Sequence, residues 1–537
     1  MSEICITAKE LSEKLLTHPC GGHGICHGCR IRFADLSEAP EATAEERKAF
    51  SSEELSAGWR LHCLHEKQLK PSMHLFIPKE EMLSKEEVPE DQAFPQGQTL
   101  DAGMLTETDV SAVHSDLSSG KDGYAVAVDL GTTTVVMQLL DLSSGKAVLT
   151  IARQNPQTSF GSDVMNRIAA AEKKDAARKM KNDIRSLLAQ GVKTFQTTLS
   201  EGKKSAGDKP AGEISSIVLA GNTTMIHLLL GWPLDSLGTA PYRAYSLSLQ
   251  TDVIGGVETL IFPGISAFVG GDIVSGLYHL KNRLSAEAGR RFFCEKNILF
   301  LDLGTNAEMA LFSGEKMLAA SVAAGPAFEG GNLSCGMPAL PGAICHVSIG
   351  DCGFLSIQTV GHETPKGVCG SGLMEAVDAF LTHAIIDRHG TYHPDYAADG
   401  YPLFILTQKN RIVLTQADIR MFQLAKAAIR AGMDSLLQHS GLLPDDLDAI
   451  YLAGAFGLSL DPDCAVRLGL FPPGTASRVH ALGNTSLAGA ADLLLSENPL
   501  RDLSEMTAMC SRFETLSLSS DEDFTADFVA QMDFPPA

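Results

Sequence analysis

Four cysteines near the N-terminus have the spacing of an iron–sulfur ligand set. Cys20, Cys26 and Cys29 follow the pattern C-x5-C-x2-C, and Cys63 comes after a long gap. A 2Fe–2S cluster needs four sulfur ligands on two irons, and three thiolates on one loop plus a distant fourth meet that need. Glycines within the loop let its backbone wrap closely around a cluster, because they carry no Cβ. The sequence therefore predicts a 2Fe–2S centre held by these four thiolates.

Other uses of these residues remain open. Structural zinc usually takes paired C-x2-C knuckles, and only Cys26 and Cys29 form such a pair. Disulfides belong to oxidising compartments, and nothing in the sequence marks the chain as secreted. Histidines in the same loops could replace cysteine as in Rieske centres; they are His23, His27, His62 and His65. Because four cysteines already suffice, we interpret the histidines as exposed or neighbouring groups that tune the cluster potential.

A second constellation is a repeated Asp-Leu-Gly-Thr motif. One copy lies at 129–134 and the other at 302–306, and each follows an apolar, strand-like run. In a tight hairpin, glycine lets backbone N–H groups approach a phosphate, and the aspartates can hold Mg²⁺ through water. A single copy could arise by chance. Each copy, however, has a downstream strand that ends in Ala-Gly, at 217–221 and 450–454, so we expect two similarly folded lobes that bind a nucleotide between them.

The repeat resembles the superfamily of acetate and sugar kinases, heat-shock chaperones and actin. On this resemblance the first phosphate hairpin comprises Asp129, Gly131, Thr132, Thr133 and Thr134, the second comprises Asp302, Gly304, Thr305 and Asn306, and the adenosine segment comprises Gly454, Ala455, Phe456 and Gly457. Asp272 follows paired glycines and is the third catalytic candidate beside the two hairpin aspartates. It could orient the attacking water or the metal, or it could cap a helix N-terminus. The glycine-rich segments 325–332 and 367–372 are expected at the mouth of the same cleft.

The 537 residues are predicted to form three parts. An α+β 2Fe–2S ferredoxin-like domain (1–78) is followed by an acidic flexible linker (79–121). A duplicated α/β actin-like, ribonuclease H-like ATPase domain (122–537) follows, with lobes at about 122–290 and 291–537. A net charge of −22 argues against nucleic-acid partners. No apolar run reaches the length of a membrane span, and the scattered remaining cysteines predict a cytoplasmic protein.

The order of these parts and the segments 302–306, 325–331 and 367–372 closely resemble the reductive activators of corrinoid proteins. The resemblance implies an ATP-hydrolysing iron–sulfur reductase. Such an enzyme returns an inactive Co(II) corrinoid to Co(I) for methyl transfer in anaerobic one-carbon metabolism. A 2Fe–2S cluster, ATP and Mg²⁺ are the implied cofactors, and the partners are a corrinoid protein and an electron donor such as ferredoxin or flavodoxin. The short linker indicates that the extra middle domain of some relatives is absent, which leaves formation of a homodimer open.

Three rival functions are weighed against this one. A small-acid or sugar kinase fused to a ferredoxin would need an acceptor pocket, which the sequence does not identify. Activators of radical dehydratases usually share a 4Fe–4S cluster between subunits through two cysteines each, unlike the four-cysteine motif here. A nucleotide-dependent redox sensor would use the nucleotide only to set a conformation. We therefore expect the corrinoid activator.

Overall fold

The computed structural model of the protein describes residues 3–7, 30–44, 46–65, 69–70, 73–78, 123–161, 163–201, 213–284, 293, 295–350, 353–407, 410–518 and 521–536. These residues form a small N-terminal sheet, two six-stranded sheets and two short accessory sheets. Within the described ranges, no helix is both long enough and apolar enough to cross a membrane.

The N-terminal sheet has four strands, joined only by antiparallel pairings. Its strands are β1 (Glu3–Thr7), β2 (Arg30–Phe33), β3 (Trp59–Leu61) and β4 (His74–Pro78), and its helices are α1 (Glu46–Ala49), α2 (Ser52–Ser56) and α3 (His62–His65). The strand order is β1-β4-β2-β3. Because side chains alternate along a strand, Ile31 and Phe33 of β2 face the same side and pack with Leu61 and Leu75 in a small core.

The first large sheet has the strand order β7-β6-β5-β8-β10-β9. Its strands are β5 (Tyr124–Leu130), β6 (Thr134–Asp141), β7 (Lys146–Gln154), β8 (Ile214–Gly221), β9 (Gln250–Ile254) and β10 (Val257–Ile261), and its helices are α4 (Val164–Ala171), α5 (Lys174–Glu201), α6 (Thr223–Leu230), α7 (Asp235–Gly238) and α8 (Gly271–Arg283). The middle of β5 is buried on both faces, which explains its continuous apolar run.

The second large sheet has the strand order β20-β19-β11-β12-β13-β21. The strands of this region are β11 (Ile298–Leu303), β12 (Ala307–Ser313), β13 (Lys316–Val322), β14 (Ala343–Ile349), β15 (Leu355–Thr359), β16 (Gly367–Val368), β17 (Tyr401–Thr407), β18 (Asn410–Leu414), β19 (Ala449–Ala453), β20 (Val479–Gly483) and β21 (Glu514–Thr515). Its helices are α9 (Gly370–Thr382), α10 (Gln416–Ser440), α11 (Ala455–Leu458), α12 (Pro462–Arg467), α13 (Thr485–Leu495), α14 (Pro499–Cys510) and α15 (Glu522–Ala530). Strands β14 to β18 form the two accessory sheets.

The two large sheets share one arrangement of five strands. β5 pairs antiparallel with β6 and parallel with β8, and β11 pairs in the same way with β12 and β19. In register, Asp129 of β5 lies opposite Ala220, and Asp302 of β11 lies opposite Ala453. Mixed α/β sheets built from a repeat, as the sequence predicted, are confirmed. The edge strands β9 and β21, one on each sheet, were not predicted.

Helices α8 and α13 pack together between the two sheets. One hydrophobic cluster joins Ala127 of β5 and Phe300 of β11 to Ile273 of α8 and Ala490 of α13. The opposite faces of the sheets have separate cores, which include α5 in the first lobe and α10 in the second. The ends of β5 and β11 therefore approach each other across a shared core.

Candidate functional site

The first predicted hairpin joins β5 to β6. Asn155, at the end of β7, supports it twice: its Nδ2 donates to Gly131 O at 2.9 Å, and its backbone N–H donates to Thr133 O at 2.8 Å. A Cβ on Gly131 would lie 2.5 Å from Thr134 O, so only glycine allows the chain to turn this tightly. The motif therefore folds into a compact loop, and the residue that follows β7 holds this loop in place through its hydrogen bonds.

The second hairpin joins β11 to β12 in the same manner. Gly304 N–H donates to Asn306 O at 3.0 Å, and Gly325 N–H donates to Thr305 O at 2.9 Å. Gly454, the first residue of the predicted adenosine segment, has a φ of +88°. A Cβ there would lie 3.0 Å from Asp302 Oδ1, so the segment packs directly against the hairpin.

The two hairpins meet although they lie far apart in the sequence. The Oγ1 atoms of Thr133 and Thr305 are 3.4 Å apart. Both hydroxyls donate to Oε2 of Glu329, from Thr133 at 3.3 Å and from Thr305 at 2.8 Å. Glu329 lies within the glycine-rich segment expected at the cleft mouth, but it was not among the predicted site residues. One carboxylate thus links the two loops that were predicted to bind phosphate.

A cluster of carboxyl groups lies behind this contact; its members are Asp129, Asp272, Asp302, Glu308 and Glu329. Burial, followed by the charges of Asp272 and Asp129, raises the pKa of Asp302 to about 8. Burial raises the pKa of Asp272 to about 7, against a hydrogen bond from the Ile273 N–H and with a contribution from the charge of Asp129. Burial also raises the pKa of Glu308 and of Glu329. Burial and mutual repulsion thus disfavour the ionised forms of these carboxyls unless a cation compensates their charge.

A hydrated divalent cation fits this cluster. Among the described residues, no three Asp, Glu, His or Cys side chains are close enough together to bind a metal ion directly. Carboxylates that are near enough to raise one another's pKa can still hold the water shell of Mg²⁺, which gives up its waters reluctantly. The arrangement can therefore bind a cation through water, together with the oxygens of a phosphate.

Asp129 differs from the other carboxylates in having two donors from the opposite lobe. Asn484 Nδ2 donates to Oδ2 and Ser486 Oγ donates to Oδ1, each at 2.8 Å. Burial still raises the pKa of Asp129. Sequence reasoning missed both donors, although a signal was available: the Gly-Asn-Thr at 483–485 repeats the Gly-Asn-Thr at 221–223, and each follows a strand and begins a helix.

The helix-cap alternative for Asp272 is wrong: α8 is capped by Gly270, and Asp272 is the second residue of the helix. In the predicted adenosine segment, the ring of Phe456 is 8% exposed and stacks on Phe328 with centroids 4.6 Å apart. Of the adenosine segment, Gly454 lies at the hairpin, and Ala455 and Gly457 form the short helix α11 that follows. The segment 367–372 packs as β16 and the start of α9, with Gly370 against Phe328 O.

The predicted cluster ligands fall largely outside the described residues. Cys20, Cys26 and Cys29 are not described, and Cys63 is described only as the second residue of α3, directly after β3. The neighbouring His65 is buried, and its Nε2 lies 3.0 Å from Glu46 Oε2. Burial alone would raise the pKa of Glu46. Hydrogen bonds from His65 and from the Leu61 N–H outweigh that effect, so the pKa is lowered. This buried pair fixes the short helix that carries Cys63.

Comparison with protein-family models gives two matches. Residues 296–537 match the model described as the C-terminal domain of RACo, the ASKHA domain. Residues 124–283 match the model described as the RACo middle region. The second match covers the region that the sequence analysis assigned to the first ATPase lobe, and it includes all six strands of the first large sheet.

Two curated proteins and one solved structure are similar over most of the chain. The corrinoid activation enzyme RamQ of Eubacterium limosum is 33% identical over 70% of this chain, and the match spans 64% of RamQ itself. A [Co(II) methylated amine-specific corrinoid protein] reductase of Methanosarcina barkeri is 26% identical, over 76% of this chain and 77% of the relative. A reductive activator for corrinoid, iron-sulfur protein is 28% identical with a TM-score of 0.67, covering 98% of this chain and 95% of the other.

Proposed function

This chain belongs to the RACo family of reductive activators of corrinoid proteins, and from that premise we propose that it uses ATP to drive one electron onto a Co(II) corrinoid protein. The meeting of two phosphate hairpins over a carboxyl cluster is the observation that carries the ATP-dependent part. The names of the similar proteins support the corrinoid part. The cytoplasm is the proposed location, and an electron donor such as ferredoxin or flavodoxin is the proposed source of the electron.

In the proposed nucleotide site, the chain supplies positioning and charge. The hydroxyls of Thr133 and Thr305, which now donate to Glu329, are placed to donate to phosphate oxygens from both lobes. Asp302 and Asp272 would hold Mg²⁺ through its waters, and the cation would compensate their crowded charge. Asp272 remains the candidate to orient the attacking water. The backbone at Gly454 would approach the adenosine, where a Cβ would obstruct it.

In the proposed electron path, Cys20, Cys26, Cys29 and Cys63 hold a 2Fe–2S cluster. Such a cluster accepts and releases single electrons, and plant-type examples have potentials near about −400 mV. The chain's described contribution is the frame: the Glu46–His65 pair orders the helix in which Cys63 lies. For one electron, each ~59 mV of uphill potential reduces the equilibrium about tenfold. A nucleotide-driven change of conformation would have to offset this unfavourable difference in reduction potential.

The contacts between the lobes offer a route from nucleotide to conformation. Ser275 Oγ of α8 donates to Ser486 O of α13 at 2.7 Å, and Tyr278 Oη donates to Asp502 Oδ2 at 2.6 Å. The first bond joins the two helices that carry Asp272 and Ser486, and the second joins α8 to α14. We propose that phosphate binding and release shift this packed pair, and that the shift is transmitted to the corrinoid partner.

Anaerobic reconstitution tests the proposal. The iron-loaded protein is mixed with a reduced electron donor and a Co(II) corrinoid protein, and the cobalt absorption is followed with and without Mg·ATP. Conversion to Co(I) that requires ATP is the expected result. Phosphate transfer to a small acid or sugar without cobalt reduction would instead support the kinase. Equal cobalt reduction after loss of both phosphate hairpins would support the redox sensor.

A further inference from the structure

Arg167 is a wholly buried arginine directly behind the first phosphate hairpin. It lies in α4, and its side chain is 0% exposed. Its Nη2 donates to Thr132 O at 2.6 Å, its Nε to Gly161 O at 2.9 Å, and its Nη1 to Met225 Sδ at 3.1 Å. Two carbonyl oxygens and a thioether sulfur thus accept the hydrogen bonds of the guanidinium. None of these three acceptors carries a charge, although a buried cation is normally paired with an anion.

The cation persists at neutral pH. Burial lowers the pKa of Arg167 to about 10, and the charge of Asp163 partly opposes that decrease. A pKa of about 10 still leaves the guanidinium protonated at neutral pH. The Arg167 guanidinium donates no hydrogen bond to a carboxylate. It therefore places a positive charge directly against the Thr132–Thr133 peptide of the loop that is predicted to bind phosphate.

The hydrogen bonds also fix the direction of the hairpin peptides. In a trans peptide the C=O and the N–H point in opposite directions. Arg167 holds the carbonyl of Thr132, and Asn155 holds the carbonyl of Gly131. The N–H groups of Thr133 and Thr132, in the same two peptides, therefore point away from these supports. Successive N–H groups aimed at one side form a concavity that binds anions.

We propose that Arg167 is a positioning residue of the nucleotide site: it orients the Thr132–Thr133 peptide toward the phosphate chain and supplies the buried positive charge that the phosphates neutralise. This inference rests on the proposed function, because it requires that the hairpin binds ATP. The phosphate chain would then carry the negative charge that the three uncharged partners of Arg167 do not provide. Polarisation through the peptide would strengthen the hydrogen bond that the Thr133 N–H donates.

Isothermal titration with Mg·ATP tests the inference on the full-length protein. Arg167→Gln keeps hydrogen-bonding capacity but removes the charge, and we expect it to weaken ATP binding by about tenfold or more. Arg167→Lys keeps a charge but cannot bond Thr132 O and Gly161 O as a planar fork, and we expect a smaller loss of about threefold. A matched control is Lys426→Met, which removes another wholly buried cation, one that donates to Asp533 O away from the hairpins.

The outcomes distinguish a positioning role of Arg167 in ATP binding from a purely structural role in the fold. The Lys426→Met protein should lose melting temperature yet bind ATP with wild-type affinity. If Arg167→Gln melts at a lower temperature but also binds ATP with wild-type affinity, the role is structural and the inference is overturned. If Arg167→Gln does not fold, Arg167→Lys decides in the same way, since unchanged affinity in that variant overturns the inference. A wild-type protein that binds no ATP refutes the proposed function itself and is recognised before any variant is compared.

Discussion

Two carboxyl groups of the cleft, one near the end of β11 and one in the first turn of α8, have strongly raised pKa values. Asp302 and Asp272 have pKa values of about 8 and about 7, well above the ordinary value near 4, and burial is the first cause in both. Between the ordinary and the raised pKa, the folded protein holds protons that the unfolded chain releases. The contribution of these two carboxyls to the free energy of unfolding therefore falls as the pH rises from about 4 to about 8.

Asp302→Asn should flatten this pH dependence. A neutral amide removes one raised carboxyl, and one such group changes the free energy of unfolding by at most about 1.4 kcal/mol per pH unit. Urea unfolding of the nucleotide-free protein at pH 5, 6.5 and 8 measures the slope. The variant should gain stability relative to the wild type most clearly at pH 8. An identical slope in both proteins would contradict the shifted pKa.

Asp175→Asn is the matched control for this experiment. The Asp175 side chain is 97% exposed in the first turn of α5, so its carboxyl is well solvated. Its replacement should leave the pH slope unchanged. A flattening in this variant as well would mean that total charge, rather than the cleft, sets the slope.

At the residue scale, a repeated motif marked two of the clustered carboxyls, whose catalytic roles stay predictions. Asp129 and Asp302 stand near strand ends within repeated Asp-Leu-Gly-Thr, and they are close enough for the charge of one to raise the pKa of the other. Glu329 was noted only as part of a loop, because nothing local distinguishes a carboxylate that reaches two hydroxyls in different lobes. Asn484 lies 355 positions from Asp129; the repeated Gly-Asn-Thr marks its place after a strand, but nothing in a single sequence shows that it bonds Asp129.

At the scale of elements, the crossing of α8 and α13 depends on two glycines. A Cβ on Gly489 would lie 1.9 Å from Ser275 O, and a Cβ on Gly276 would lie 2.6 Å from Thr485 Oγ1. Small residues thus let the two helices touch through their backbones. This crossing could not be predicted from the sequence, because an isolated glycine in a helical run carries no signal about its partner helix.

Gly489→Ala should therefore destabilise the packing between the lobes. The added methyl cannot be accommodated without moving a helix, and overpacking of this kind typically costs about 1–3 kcal/mol. The melting temperature and the urea midpoint measure the loss. Gly350→Ala is the control, because the nearest described atom, Phe354 O, would be 3.9 Å from its Cβ. Equal stability of the two variants would refute the close crossing.

The pairing of the repeated strands was largely predictable from the sequence, whereas the accessory strands were not. Each Asp-Leu-Gly-Thr strand pairs in parallel with the strand that ends in Ala-Gly, as the repeated order of segments indicated. The accessory strands β14 to β18 have no counterpart among the described residues of the first lobe, so the repeat did not reveal them. The N-terminal domain rests on a cysteine spacing, and its identity as a ferredoxin stays a prediction.

At the scale of the whole molecule, the proposal requires two separable activities. Cys26→Ser should abolish the visible cluster spectrum and corrinoid reduction while sparing ATP binding, because the thiolate lies in a different part of the chain from the hairpins. Asp302→Ala should leave the cluster spectrum intact but stop ATP-dependent turnover. Absorption spectroscopy, ATP titration and the cobalt assay are measured on both variants. Normal cobalt reduction by both variants would refute the assignment of the cluster to Cys26 and of ATP-dependent turnover to Asp302.

The two bonds that Asp129 accepts from Asn484 and Ser486 cross from one lobe to the other. Any rotation that parts the lobes would break both bonds at once, because both donors belong to the second lobe and the acceptor to the first. The two donors lower the pKa of Asp129, which burial raises, so their loss would remove the groups that favour its charged form. The protonation of this one carboxyl is thereby linked to the angle between the halves of the molecule.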